Sequence, residues 1–174
     1  AVLTASAAYT YAKNDRLTRF VNRNDAVFGR PWATGLPGGN GIGDLTTVES
    51  TARSEYNGLT LGLARRTGAN WQFDVNYTLA WDRSDDDNER DPFTFRYARA
   101  DRLDREWGFS DRDQRHRLNV WTLARLPGRL AFNNRVSALS AQPASESCGG
   151  AGAPPRGQRA VNFTDRICAD GSIL

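Results

Sequence analysis

Residues 71–82 read Trp71-Gln72-Phe73-Asp74-Val75-Asn76-Tyr77-Thr78-Leu79-Ala80-Trp81-Asp82. Every odd position carries a large apolar or aromatic side chain, and every even position a polar or small one. Successive side chains of a strand point to opposite faces, so this stretch has one apolar face and one polar face. On a helix the same residues would scatter round the axis. The rings gather toward both ends of the apolar row, as expected where aromatics sit at the two interfaces of a bilayer.

Four further stretches alternate in the same way. Residues 1–13 set Leu3, Ala5, Ala7, Tyr9 and Tyr11 against Thr4, Ser6 and Thr10. Residues 54–66 set Leu59, Leu61 and Leu63 against Gly58, Thr60, Gly62 and Ala64. Residues 115–126 carry Leu118, Val120, Ala124 and Leu126 on one face, with Thr122 among them, and Arg117, Asn119 and Arg125 on the other. Residues 129–141 carry Leu130, Phe132, Val136 and Ala138 opposite Asn133, Arg135 and Ser137; Asn134 is a polar exception on the apolar side. Strands of soluble proteins average roughly five or six residues, whereas a tilted membrane-crossing strand needs about nine to eleven. The length of these stretches favours the membrane.

The links between them alternate too. Thr67-Gly68-Ala69-Asn70 and Pro127-Gly128 are tight, with hairpin chemistry. The links over 14–53 and 83–113, and the tail after Pro143, are long. Long extracellular loops alternating with short periplasmic turns mark outer-membrane barrels. The expected fold is therefore all-β, a partial antiparallel up-and-down transmembrane barrel in the bacterial outer membrane. Leu59, Leu61, Leu63, Trp71, Phe73, Val75, Tyr77, Leu79, Trp81, Leu118, Val120, Leu130, Phe132 and Val136 are expected to face lipid. Asp74, Asn76, Arg117, Asn119, Arg125 and Arg135 are expected to face the lumen. Phe93, Phe95 and Tyr97 alternate with Thr94 and Arg96 and suggest a strand extension above the membrane.

Charge and composition narrow the function. The 174 residues include 23 Lys and Arg against 20 Asp and Glu, and the signs are interleaved, as in Asp101-Arg102-Leu103-Asp104-Arg105-Glu106. Without a single-sign stripe there is no footprint for nucleic acid. No run of 18 apolar residues exists to form a spanning helix. The start, Ala1-Val2-Leu3, has neither the basic nor the apolar region of a signal peptide.

Candidate chemistry is sparse. His116 is the single histidine, with no nucleophile or orienting group singled out beside it, and reads as a strand-end interfacial residue. Asp85, Asp87 and Asp91 belong to an acidic run with carboxylates for a hard cation, but without the EF-hand glycine and terminal Glu; a solvated loop explains them as well. Gly38-Gly39-Asn40-Gly41-Ile42-Gly43 lacks the Lys-Ser/Thr ending of a phosphate loop and reads as a flexible loop. Cys148 and Cys168, an even pair in an exported chain, point to a disulfide, with free or metal-binding thiols as the alternative. No cofactor and no enzyme activity are expected.

Several of these segments resemble one family. Ser54-Glu55-Tyr56-Asn57-Gly58-Leu59-Thr60-Leu61 resembles the Tyr-Asn-Gly-Leu segment of TonB-dependent receptors, in particular the Oar-like group. Tyr77-Thr78-Leu79-Ala80-Trp81-Asp82 is similar to that group's Tyr-Thr strand end. Asp113-Gln114-Arg115-His116-Arg117-Leu118 looks like its Asp-x-Arg-His-Arg element, followed by Leu126-Pro127-Gly128 as its turn. The resemblance covers roughly residues 54–143, in the family's order and spacing. It implies a 22-stranded barrel closed round a plug, importing a scarce nutrient with energy from the TonB complex. The chain itself shows no plug and no TonB box, has five clear strands, and ends on Leu174 rather than an aromatic. It is expected to be an internal or truncated barrel piece from the C-terminal half, partnered by outer-membrane lipid, by the missing plug and strands and, through an absent N-terminal part, by the TonB complex. Siderophore, glycan, cobalamin and peptide all stay open as ligands. A small structural or adhesion barrel and a soluble all-β binding module are the competing readings.

Overall fold

The computed structural model describes residues 2–24, 45–66, 70–86, 97–160 and 163–174. Six strands form one sheet: β1 (Leu3–Asn22), β2 (Thr46–Arg65), β3 (Trp71–Ser84), β4 (Gly108–Phe109), β5 (His116–Leu126) and β6 (Leu130–Leu139). The order is β1-β2-β3-β5-β6, with the short β4 added to β3. Each long strand thus neighbours the next long strand in sequence, which is the antiparallel up-and-down topology expected from the tight links. The sheet is open, as in part of a barrel.

Two strands run further than their apolar alternation suggests. β1 continues from the expected end at 13 to Asn22, and β2 starts at Thr46 rather than 54. Twenty residues is about twice what a tilted crossing requires. The added segments, Asn14–Asn22 and Thr46–Arg53, are mixed in polarity, so they carry no period-2 signal. Their β-branched Thr46, Thr47, Val48 and Thr51 suit a pleated backbone. β3, β5 and β6 lie within two residues of their expected bounds. Of the suggested extension at 93–97, only Tyr97 is among the described residues, and it lies outside any strand.

The chain divides into two compact units. The first comprises Ala1–Lys13, Glu55–Asp82 and Arg112–Pro143. Its register is explicit. Trp71, Val75 and Tyr77 of β3 stand opposite Ala124, Val120 and Leu118 of β5, which stand opposite Phe132, Val136 and Ala138 of β6. Directly opposed residues share a face, so these rows form a continuous apolar surface. Asp74, Trp121 and Arg135 form a row on the other face, as do Asn76, Asn119 and Ser137. The β5–β6 connection is a single 3-10 turn, Pro127–Arg129, in which Gly128 (φ 79°) and Arg129 (φ 63°) are both left-handed. Glycine takes that conformation without a Cβ penalty; Arg129 does not.

The second unit comprises Asn14–Ser54, Arg83–Asp111 and Ala144–Leu174. Its apolar centre is small: Val21, Tyr97 and Ala100, with Leu103 packed against them. Polar links supply the rest. Arg19, almost wholly buried, donates to Asp85 Oδ1 at 2.7 Å and to the Thr51 carbonyl at 2.8 Å. Arg23 donates to Glu49 and to the Ala100 carbonyl. Burial alone would raise the Glu49 carboxyl, but hydrogen bonds from Arg23 and Thr47 outweigh it and hold Glu49 below the usual carboxylate range. Cys148 and Cys168 are joined in a disulfide with Cα atoms 5.1 Å apart. Around it the Cys148 amide donates to Asp165 O at 2.7 Å and the Cys168 amide to Ser172 O at 2.9 Å.

Candidate functional site

The polar face of the first unit holds an open cavity of about 590 Å³, lined in part by Arg66, Asp74, Asn76, Asn119, Trp121 and Arg135. Each side chain is there by strand parity. Asp74 and Asn76 are alternate residues of β3, and the ladder brings Trp121 and Asn119 of β5 beside them and Arg135 and Ser137 of β6 beyond. Asp74 accepts from Arg66 Nη2 at 2.8 Å and from Asn76 Nδ2 at 2.5 Å. Ser137 donates to Asn119 Oδ1 at 2.5 Å. On the same face Thr60 and Thr78 share a 3.1 Å hydrogen bond. A Cβ on Gly62 would run into Ser6 Oγ and lie 3.2 Å from Asn76 Oδ1, so the glycine lets β1, β2 and β3 side chains crowd together. Charged, amide and indole groups together suit a hydrated passage in which a polar ligand finds both hydrogen bonds and a flat ring.

Parity places Asp74, Asn76, Arg117, Asn119, Arg125 and Arg135 on this one face. Arg117 and Arg125 are not among the cavity-lining residues. The sequence reading passed over Trp121 and Leu123, which break the polar row of β5. Their shared parity with Asn119 was the available signal.

The opposite face is apolar and exposed. Leu61, Trp71, Phe132 and Val136 are each 44–54% accessible. Phe73, Leu79, Leu118 and Val120 share that face by register. Trp71 and Phe73 pack with ring centroids 5.0 Å apart. Tyr77 and His116 share a 2.7 Å hydrogen bond through the phenol oxygen and Nδ1, and their rings stack. His116 thus opens β5 as a partner of Tyr77. Asn134, the polar exception, lies opposite Thr122, which in turn opposes Phe73. Water tolerates an apolar sheet face of this breadth poorly; hydrocarbon accepts it.

Asp85 corrects one expectation. Its carboxylate is buried, paired with Arg19 and, at 3.2 Å, with Arg53 Nε, and it accepts the Arg53 amide at 2.7 Å. Two guanidinium groups at bonding distance repel a third cation, so these oxygens serve the fold rather than a metal ion. Asp87 and Asp91 lie outside the described residues. Among the described residues no cluster of His, Cys, Asp and Glu has the makings of a metal site.

The family model described as outer membrane beta barrel domain matches residues 2–142. Comparison with curated proteins and with solved structures gives no match. This match places the protein in the bacterial outer membrane, in contact with membrane lipid, and the up-and-down topology agrees with it. The chain belongs to the outer membrane β-barrel domain family.

Proposed function

We propose that this sheet is part of a TonB-dependent receptor that captures a scarce nutrient outside the cell and passes it along the polar face into the periplasm. The supporting observation is that face itself: Asp74, Asn76, Asn119, Trp121 and Arg135 converge on one open cavity instead of meeting in a dry core. The four family-like segments in order across residues 54–143 support it independently. The chemistry is binding and release with no covalent step. The plug and the TonB complex are the partners this reading requires.

The test is ligand uptake by cells producing the whole receptor, with and without a protonophore. Uptake that stops when the proton gradient collapses, while surface binding persists, is the expected outcome. Uptake that continues unchanged marks a passive pore and overturns the reading.

A further inference from the structure

We propose that the polar-face cavity of the first unit binds an acidic sugar, a pyranose bearing a carboxylate, as one unit of a short oligosaccharide. The inference deepens the uptake reading and rests on it for the role of cargo.

Register brings three kinds of chemistry side by side. Asp74, Trp121 and Arg135 stand in one row across β3, β5 and β6. Neighbouring strands lie about 4.8 Å apart, so the row is about 10 Å long with the indole at its centre. Trp121 is half-buried, Arg135 is exposed, and both line the cavity. A ring laid on the indole therefore has a carboxylate at one edge and a guanidinium at the other. The next row on the same face, about 7 Å along the strands, is Asn76, Asn119 and Ser137. Ser137 donates to Asn119 Oδ1, which fixes that carboxamide and leaves its N–H donors for a ligand. A pyranose offers an apolar C–H face to the indole and a rim of hydroxyls to the carboxamides and to Asp74. A flat aromatic acid would cover the same amides without pairing them.

Charge selects the acid. Arg66 bonds Asp74 at 2.8 Å, and the two charges offset one another. No ion pair or side-chain hydrogen bond holds the Arg135 guanidinium among the described residues. One cation is thus in surplus, and its planar N–H fork matches a carboxylate. A second cavity of about 530 Å³ adjoins the first and shares Arg66, Asp74 and Asn76 with it. Its lining includes Thr4, Ser6 and Gly62, short side chains that leave room for a further sugar beside two hydroxyls. Two adjoining hollows with a polar wall in common suit linked sugars better than a single one.

The test is calorimetric titration of the whole receptor in zwitterionic detergent with trigalacturonic acid, its neutral methyl ester and benzoate. Trigalacturonate should bind. Arg135→Gln should weaken it about 10- to 100-fold and leave binding of the ester unchanged. Trp121→Ala should weaken acid and ester alike, about fivefold, with Trp121→Phe restoring most of the loss. Absence of trigalacturonate binding overturns the proposal. So does equal binding of acid and ester, since the guanidinium would then read no charge. Benzoate binding as tight as trigalacturonate also overturns it, leaving an anion site that recognises no sugar. Arg135→Gln lies on an exposed strand and breaks no described side-chain bond, so its effect on affinity is read without a change of fold. The two readings fail separately. Gradient-driven uptake of another nutrient without trigalacturonate binding removes this proposal alone. Trigalacturonate that binds as expected, but whose uptake ignores a protonophore, removes the uptake reading alone.

Discussion

Replacing Val120 by arginine should separate the two faces of the sheet in one measurement. Val120 lies between Val75 and Val136, fifth of the eleven residues of β5. Eleven residues at about 3.3 Å each extend roughly 36 Å, and a tilt of about 45° reduces that to some 25 Å, the height of a barrel's apolar band. Val120 therefore sits near the bilayer midplane. An arginine facing lipid there costs about 2–4 kcal/mol, a 30- to 900-fold shift toward the unfolded chain. Asn119→Arg, one residue earlier, points to the polar face and should cost only about 0.5–1.5 kcal/mol, the loss of the hydrogen bond from Ser137. Leu126→Arg, at the end of β5, should cost about 0–1 kcal/mol, because the cost falls toward the interface. The assay is equilibrium guanidinium unfolding from phosphatidylcholine vesicles, followed by tryptophan fluorescence. Equal costs at 119 and 120, or a larger cost at 119, would refute the assignment of faces.

The remaining expectations concern single features of the two units. Asp85→Ala leaves Arg19 buried without its counter-charge and should cost the second unit about 3–5 kcal/mol, seen as faster amide exchange over residues 14–24 and 45–54. The pair Arg19→Met with Asp85→Leu should recover much of the loss. Gly62→Val should destabilise the first unit by about 1–3 kcal/mol through its collision with Ser6, and Ser6→Gly should relieve it. Burial, and then the hydrogen bond to Asp86, push the Tyr97 hydroxyl well above its ordinary range. The fold thus favours the neutral phenol: this stabilisation is whole below about pH 10 and is lost as pH rises toward the raised value, and Tyr97→Phe should remove that alkaline dependence in a pH titration of unfolding. Reducing the Cys148–Cys168 bond should cost about 3 kcal/mol locally and expose the Cys148 and Cys168 amides to exchange.

The membrane-crossing part was legible because lipid on one side and water on the other write a two-residue period into the chain. Trp71 to Trp81 shows that period without a break, and the register of β3 with β5 follows it. The far ends of β1 and β2 carry no such record. There the buried residue is a charged one, Arg19, held by Asp85, the Thr51 carbonyl and the Tyr97 ring, so hydropathy has nothing to report. Asp85 looked like an exposed acid because its two arginines lie 66 and 32 residues away in sequence. Trp121 was silent for another reason: in a strand with apolar residues on both faces, alternation cannot say that an indole stands between Asp74 and Arg135.

The three-residue turn at Pro127–Arg129 has a consequence for how the sheet comes together in time. Leu126 pairs directly with Leu130, so closing this hairpin orders very little chain. Proline fixes one backbone angle beforehand, and Gly128 accepts the left-handed bend at no steric cost. Hairpins of this kind form within about 1–10 μs. The β3–β5 pairing, by contrast, must close the whole stretch between Leu79 and His116 and waits on a slower search. β5 and β6 are thus placed to form the earliest ribbon, with β3 joining it later. Arg129→Gly, by removing the one strained side chain in the bend, should speed that first step while leaving the later one unchanged.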